Sequence, residues 1–595
     1  MCGIAGFCHL DAGRQAGVSL VRTMNEAMRH RGPDASDTFT DGPVGLGHGR
    51  LKILDLSDAA NQPMRGASGS VIVYNGECYN YLELKRELEG LGHVFRTTSD
   101  TEVVLAMYEQ YGKTFAGRLR GMFALAVWDP RRRELVLVRD RMGIKPLYYS
   151  LADETVSFAS ELKGMLALPW VSRDIDLDAL GRYFRLYSIP DPLSVIKDVR
   201  RLAPGHMLTV RDGKVREEQW WTLADVETVD TDMETAAAGL LEGIEDAVAS
   251  HLVSDVPVGI ALSGGIDSSG LAALAARNAG EPLHTFSVAV PGSEHDEGAM
   301  AAEYAEVLGT IHHEIQFSDV TPGLLERFVR FADEPFAISS GLGLFRVAEE
   351  ASRCGVKVLL TGDGGDELFG GYLWRHGAPV PESNRAEAYA RSMWHNGDMT
   401  LGEILLPGAK EALGDGGLAH LAMLYRRPAL GDPLKRRLYT DSCSTLVSEM
   451  LAKSDRMTMA HGVEGRVPLL DHHLVEKAFS LPSAVKLVDG QGKAVLRKAL
   501  ATVLPRSILD RRKRGFNVPV ANTFRGETRE YVLDVLSDAA RAERGLYRPE
   551  VVRERFLDPL ARGHEFSLEE SHRLFAILAL EMWMSHVAVF SWHEL

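Results

Sequence analysis

The chain of 595 residues is poor in cysteine, and its five (Cys2, Cys8, Cys78, Cys354, Cys443) are odd in number, widely spread and without a C-x-x-C pair. That pattern argues against a disulfide framework and against a structural zinc site. No run of about eighteen uncharged apolar residues occurs, and the opening residues lack a basic n-region and an apolar h-region. Neither a membrane span nor a secretory leader is expected, which predicts a cytoplasmic protein. Positive charge is also in deficit, with 66 Lys and Arg against 82 Asp and Glu and a formal net charge of −16. Such a chain has no general attraction to a phosphate backbone, so nucleic acid is not an expected partner.

What is present is a globular composition, 45% hydrophobic and 25% charged, in a chain too long for one core. Two main domains are expected. Over residues 2–210 the apolar runs Val71–Tyr74, Phe123–Trp128 and Leu135–Val138, each bounded by Gly, Asp or Pro, read as strands. Helices are predicted at Tyr81–Leu91 and Thr101–Tyr111, the second opening on the capping-box pattern Ser99-x-x-Glu102. This is a layered α+β domain. Residues 211–235, acidic and threonine-rich from Gln219 on, read as a linker. Beyond it a helix near 236–251, the strand Val256–Leu262 and the helix Leu271–Asn278 begin an alternation. It continues with Leu283–Val290, a helix over 297–308, a helix over 344–353 and Val356–Thr361. A doubly wound parallel α/β sheet is predicted within 236–595. Residues 376–440 are less regular, and the carboxyl-terminal remainder reads as helical.

Cys2 follows the initiator methionine in Met1-Cys2-Gly3-Ile4-Ala5-Gly6. Removing one residue leaves a thiol and a free α-amine on the same carbon. Because an α-amine titrates at about 7.7–8.0, it can take the thiol proton near neutral pH as sulfur attacks a carbonyl. An amide would then be cleaved through a thioester. The plain alternative is a small buried residue in a first strand.

Ser263-Gly264-Gly265-Ile266-Asp267-Ser268-Ser269 lies between a strand and a helix, where glycines let backbone N–H groups approach an anion. Phosphate fits such a turn, and Asp267 can hold Mg²⁺ beside it. The loop is no Walker A motif: Gly112-Lys113-Thr114 supplies that ending, but Met107 stands where the first glycine is required. Gly362 and Gly364 likewise fail to begin a G-x-G-x-x-G motif, since position 367 is Glu.

Together Cys2 and this loop resemble the glutamine-dependent asparagine synthetases, in the correct order and over nearly the whole chain. The resemblance implies an N-terminal nucleophile glutaminase domain, an αββα sandwich, joined to an ATP-pyrophosphatase synthetase domain with a helical carboxyl-terminal part. It implies that Arg50 grips the glutamine α-carboxylate and that Glu77 and Asp100 receive its α-ammonium. Asn75 and Gly76 match the oxyanion hole, although Asn-Gly alone is a common turn signal. In the second domain Leu262, Val288 and Gly362 match the adenine and ribose positions, and Ser263, Gly264, Gly265 and Ser268 the pyrophosphate loop. Asp267 and Asp366 match metal-binding aspartates, and Asp363 lies by the acceptor carboxylate and incoming ammonia. Glu367, by contrast, reads as a solvated acidic turn. Lys513, in Arg511-Arg512-Lys513-Arg514, matches a lysine that neutralises pyrophosphate; a basic surface patch is the ordinary meaning of such a run.

The implied substrates are glutamine, ATP and a carboxylic acid, with Mg²⁺, and the family suggests a homodimer. ATP would activate the acid as an acyl-adenylate, with AMP and pyrophosphate released. Aspartate is the expected acceptor. The stretch Glu334 to Gly343 departs from the threonine-rich segment of asparagine makers, which makes an amidotransferase for a cell-wall, sugar or natural-product acid the alternative. A non-catalytic glutamine and ATP sensor would require decay at Cys2 or at the loop, and a cyclase would need no ammonia donor.

Overall fold

Alternation of period two builds the amino-terminal half. In β1 (Gly3–His9) Ile4 and Cys8 point to one side and Ala5 and Phe7 to the other. In β5 (Val71–Cys78) Val71 and Val73 oppose Ile72 and Tyr74 in the same way. Each strand therefore has two apolar faces, and a sheet of such strands must be covered on both sides. The computed structural model describes residues 2–290, 297–317, 320–379, 382–396, 398–427, 430–510, 520, 524–537 and 545–587.

The solution is two antiparallel six-stranded sheets face to face. One holds β1, β2 (Ala35–Asp41), β3 (Val44–Arg50), β8 (Tyr148–Ala152), β9 (Thr155–Ala159) and β10 (Val199–Arg201) in the order β10-β8-β9-β1-β3-β2. The other holds β4 (Met64–Arg65), β5, β6 (Gly121–Asp129), β7 (Glu134–Arg139), β11 (His206–Arg211) and β12 (Lys214–Gln219), ordered β12-β11-β7-β6-β5-β4. Ile4, Leu46, Val73, Ala126, Leu137 and Phe158 fill the space between. Helix Val18–Ala27 covers the first sheet, and helices Tyr81–Gly90 and Asp100–Tyr111 cover the second. The expected αββα sandwich is present. β12 pairs with β11 along its whole length, so the sheet runs on to Gln219 and the linker expected from 211 begins later.

Ser99 caps the third of these helices by accepting the Thr101 N–H, but the capping box is not formed. Glu102 turns back past Ser99 and accepts the Thr97 N–H at 2.8 Å and its hydroxyl at 2.7 Å.

The second half is a five-stranded parallel sheet of β13 (Val258–Ala261), β14 (His284–Ala289), β15 (Ile311–Gln316), β16 (Val358–Leu360) and β17 (Glu464–Arg466). Its order β15-β14-β13-β16-β17 runs to one side from β13 and then to the other. The direction reverses between β13 and β16, so the loops after these two strands flank the crevice where such sheets bind ligands. β17 is three residues long and was not foreseen from the helical look of its surroundings. The described residues within 376–440 include short helices, among them Arg385–Ser392, Leu418–Tyr425 and the start of Pro433–Ser442.

The halves meet over buried charge. Arg31, fully buried, donates to Asp455 at 2.8 and 3.1 Å, to Glu161 at 2.8 Å and to the Cys2 carbonyl at 3.2 Å. Nearby Glu334 accepts from the Tyr148 hydroxyl at 2.5 Å, the Val195 N–H at 2.8 Å, and Arg201 and Arg456. Burial opposes ionisation of Glu334, but the two guanidinium groups prevail and hold its carboxyl down at about 2.

Removing one member of such a cluster leaves the opposite charges buried and unpaired, which costs about 3–5 kcal/mol. Arg31→Met should lower the thermal unfolding midpoint clearly, read by calorimetry; an unchanged midpoint would show the cluster to be dispensable.

Candidate active sites

The first site forms where β1 meets β5. Cys2 is buried, and its backbone N–H donates to Asn75 Oδ1 at 3.0 Å. That bond fixes the Asn75 amide, since an N–H can face only the oxygen. Asn75 Nδ2 is then left buried with no acceptor among the described residues. An unsatisfied buried donor costs about 1–3 kcal/mol and is retained where something else is to be bound. At Gly76 a Cβ would lie 2.2 Å from the Met122 carbonyl oxygen, so the neighbouring strand admits only glycine. Burial pushes the Cys2 thiol up, opposed by the Leu51 N–H and the Arg50 charge.

Cys2, Arg50, Gly76, Glu77 and Asp100 line one cavity, so the predicted glutamine residues converge. Arg50 donates to the Ser57 carbonyl at 2.7 Å, Asn61 Oδ1 at 2.8 Å, the Leu54 carbonyl at 3.2 Å and the Asp55 carbonyl. Its terminal nitrogens are thus engaged by the 54–61 loop, and gripping a carboxylate would require part of that loop to let go.

Glu77 and Asp100 are buried with a third carboxylate, Glu464, which β17 brings across from the second domain. Arg466 is the neighbouring cation, 2.6 Å from Glu464 and 3.5 Å from Glu77. Burial and mutual repulsion raise both Glu77 and Asp100 above the ordinary carboxylate range. Arg466 and Lys145 are the side-chain cations that face Glu464, so with all three carboxylates ionised the cluster carries negative charge that an incoming cation offsets.

The second site lies at the sheet's reversal. After β13 the chain turns at Gly264, whose φ is +66°, and the helix Ile266–Asn278 begins at once. Asp267 and Ser268, expected in the loop, therefore sit in the first helical turn. Ser263 and Ser268 close the turn through their hydroxyls at 3.0 Å, and no side chain caps the helix at Gly265. Its N–H groups are those of an anion-binding helix end. Leu262 and Val288 are buried beside it.

After β16, Asp363 accepts from the Thr361 hydroxyl at 2.8 Å, from Lys453 at 3.2 Å and from Ser454. Asp366 lies 2.7 Å from Lys493 Nζ, and Asp267 lies 2.5 Å from it. Burial disfavours the Lys493 ammonium, but these two aspartates hold it protonated. The approach depends on glycine. A Cβ on Gly365 would fall 2.6 Å from Asp267 Oδ1, and one on Gly371 would fall 1.7 Å from Asp366 Oδ1 and 2.4 Å from Lys493 Cε. Gly362 is tight as well, with Ser268 N 3.1 Å from its Cβ position. Glu367 is buried and accepts the Tyr372 hydroxyl at 2.7 Å, so it is no solvated turn.

Lys493 went unnoticed in the sequence. It has φ +57° at the end of Gly490-Gln491-Gly492, a glycine-rich approach to a helix that could have singled it out. Lys513 lies outside the described residues. The donor set of Asp267 and Asp366 is two carboxylates from the first turns of two helices, all oxygen, which suits Mg²⁺ shared with phosphate oxygens.

A cysteine at position 2 in a two-sheet sandwich, joined to a parallel sheet with an anion-binding reversal point, defines a glutamine amidotransferase coupled to an ATP-using ligase. Residues 1–221 match the glutamine amidotransferase domain and residues 239–585 the asparagine synthase family. Over 581 residues the chain is 33% identical to the glutamine-hydrolysing asparagine synthetase 1 of Bacillus subtilis, covering 91% of this chain and 90% of that one. It is 32% identical over 537 residues to asparagine synthetase 3 of the same organism, covering 86% of each. It is also 29% identical over 610 residues to the amidase chry2 of Gibberella zeae, covering 87% and 89%. The chain belongs to the asparagine synthase family.

Two outcomes follow from the geometry. On the assignment proposed below, in which Glu77 and Asp100 receive the glutamine ammonium in their ionised forms, KM for glutamine should rise as pH falls from neutral into the mildly acid range, while Asp100→Asn flattens that rise. A flat wild-type profile would contradict the carboxylate account. Gly371→Ala should cut ATP-dependent amide formation by roughly 100-fold, as expected for displacement of catalytic groups by about 1 Å, yet leave glutamine hydrolysis intact.

Proposed function

We propose that the protein makes asparagine from aspartate, with glutamine as nitrogen donor and ATP converted to AMP and pyrophosphate. The unsatisfied Nδ2 of Asn75 beside Cys2 is the observation that carries the glutaminase half. Once Met1 is gone, the Cys2 amine serves as base for its own thiol, and sulfur attacks the glutamine amide carbon. Asn75 Nδ2 and the Gly76 N–H receive the negative oxygen; Arg50 binds the substrate carboxylate, and Glu77 and Asp100 its ammonium. Ammonia leaves, and water releases glutamate from the thioester.

In the second domain the adenine and ribose are assigned to Leu262, Val288 and Gly362, and the phosphates to Ser263, Gly264, Gly265, Ser268 and the helix end behind them. Asp267 and Asp366 would hold Mg²⁺, which when bound neutralises phosphate charge. Lys493, released from these aspartates, supplies a compact positive charge to the departing pyrophosphate, and Lys513 is proposed as a second cation there. Asp363 is positioned by Lys453 and Ser454 to take a proton from the attacking ammonia. Shielding the path between the sites keeps ammonia unprotonated. We assign residues 2–219 to the glutaminase and 236–595 to the synthetase, and place the enzyme in the cytoplasm as a homodimer.

A second acceptor class is favoured by two observations. Glu334, which opens the segment expected to shape the acid pocket, is committed to Arg201, Arg456 and Tyr148, and the similar chry2 is named an amidase rather than an asparagine synthetase. A larger carboxylic acid is the alternative substrate.

Cys2→Ala should abolish glutamine-dependent amide formation while leaving ammonia-dependent formation within about a factor of two of wild type, measured as AMP and asparagine by mass spectrometry. Glutamine hydrolysis surviving in that variant would overturn the role of Cys2. Glutamate release without aspartate-dependent AMP would favour the alternative acid.

A further inference from the structure

We infer that His313, Glu350 and Cys354 form a binding site for a divalent transition-metal cation, with the donor chemistry of Zn²⁺, at the outer edge of the parallel sheet. The three come from two elements. His313 lies on β15, the edge strand, and Glu350 and Cys354 stand four apart at the end of helix Ser340–Arg353, hence on one helix face. Their donor atoms all lie within 4.8 Å of one another.

The two separations from sulfur are those of a coordination shell, and the third lies within 4.8 Å. With Zn–S of about 2.3 Å and Zn–N or Zn–O of about 2.0–2.1 Å, a tetrahedron places sulfur about 3.6 Å from each neighbouring ligand. Cys354 Sγ lies 3.7 Å from His313 Nδ1 and 3.6 Å from Glu350 Oε1. Ordinary core packing does not require a thiol, an imidazole nitrogen and a carboxylate oxygen to converge on one point.

A second, independent feature orients the imidazole. The other ring nitrogen of His313, Nε2, lies 2.9 Å from His284 Nδ1 on β14, with the two rings nearly parallel at 10°. If His313 donates through Nε2–H to His284, its Nδ1 lone pair is turned toward Cys354 and Glu350. Metal-bound histidines are held in this manner by a partner on the far nitrogen. Phe286 stacks on His313 at 4.8 Å and walls the site on the sheet side. Three protein ligands leave the fourth tetrahedral position for water.

Arg353 is the charge that competes. It holds Glu350 through Oε2 at 2.8 Å and Oε1 at 2.5 Å. Cation binding would take Oε1 and leave Arg353 on Oε2, while the Cys354 S–H bond breaks and its proton passes to solvent. Glu350, Arg353, His284, His312 and Cys354 are charged or titratable groups around His313, and Glu350 is the carboxylate among them. The site lies toward the amino-terminal end of the sheet: His284 opens β14, whereas the loops of the second active site follow the opposite, carboxyl ends of β13 and β16. A bound cation would staple the edge strand β15 to the helix that covers it.

The test uses the full-length chain, stripped with a chelator and titrated with Co²⁺ in excess Mg²⁺, which occupies the all-oxygen sites. The expected result is a thiolate-to-cobalt charge-transfer band in the near ultraviolet, with tetrahedral visible bands, saturating at one equivalent and displaced by Zn²⁺. Cys354→Ser should lose the charge-transfer band, Glu350→Gln should weaken binding, and His284→Ala should weaken it roughly 10–100-fold with the band retained. Circular dichroism checks that each variant folds, and the two near-isosteric substitutions serve as alternates for one another. No band in the wild type, or a band that persists in Cys354→Ser, would overturn the site.

Discussion

The structure depends on one buried guanidinium. Arg31 follows the first helix, takes the Cys2 carbonyl on its Nε, and spreads its two terminal nitrogens over Asp455. Asp455 belongs to helix Ala452–Met459 of the second domain, whose Ser454 and Lys453 hold Asp363 of that same domain. A continuous run of contacts therefore joins the backbone of the nucleophile to the carboxylate beside the second reaction. Burying an ion cluster is expensive and replaceable by apolar packing, so its stability alone does not explain it. Directionality does: a bidentate pair sets the register between two domains more sharply than apolar contact can.

β17 makes the same connection from the opposite side. It is the last strand of the synthetase sheet, and its ends carry Glu464 and Arg466 into the cluster around Glu77. The strand lies beside β16, which leads to Asp363 and Asp366. The charge balance of the cluster proposed to receive the glutamine ammonium is thus partly supplied by the second domain. Glycine then sets the second site's dimensions, since Gly362, Gly365 and Gly371 each stand where a methyl group would strike Asp267, Asp366 or their surroundings.

Local features were legible in the sequence. Cys2, the Ser263–Ser269 turn, the Asn75-Gly76-Glu77 run and the strand-helix alternation each carry their chemistry within a few residues. The helix boundary at Ile266 was missed because the serines and aspartate that suit a loop also suit a first helical turn. β12 was hidden by its polar, charged face, that of an exposed edge strand, and β17 by its length of three residues. Other features are tertiary by nature. Arg31 and Asp455 are separated by 424 positions, and Lys493 reaches Asp267 across 226, so no period or spacing rule links them. Glu367 resembled a solvated turn because the buried hydroxyl of Tyr372 that satisfies it is apparent only once the chain folds back.

The central claim is that nitrogen passes within one molecule from Cys2 to an ATP-activated carboxylate. The direct measurement supplies glutamine labelled with ¹⁵N in its amide, together with aspartate, ATP, Mg²⁺ and excess unlabelled ammonium at a pH where ammonium is protonated, and follows the label in the asparagine formed. The account predicts asparagine carrying the label nearly undiluted, with one AMP for each asparagine. Label diluted to the level of the bulk ammonium pool would contradict it.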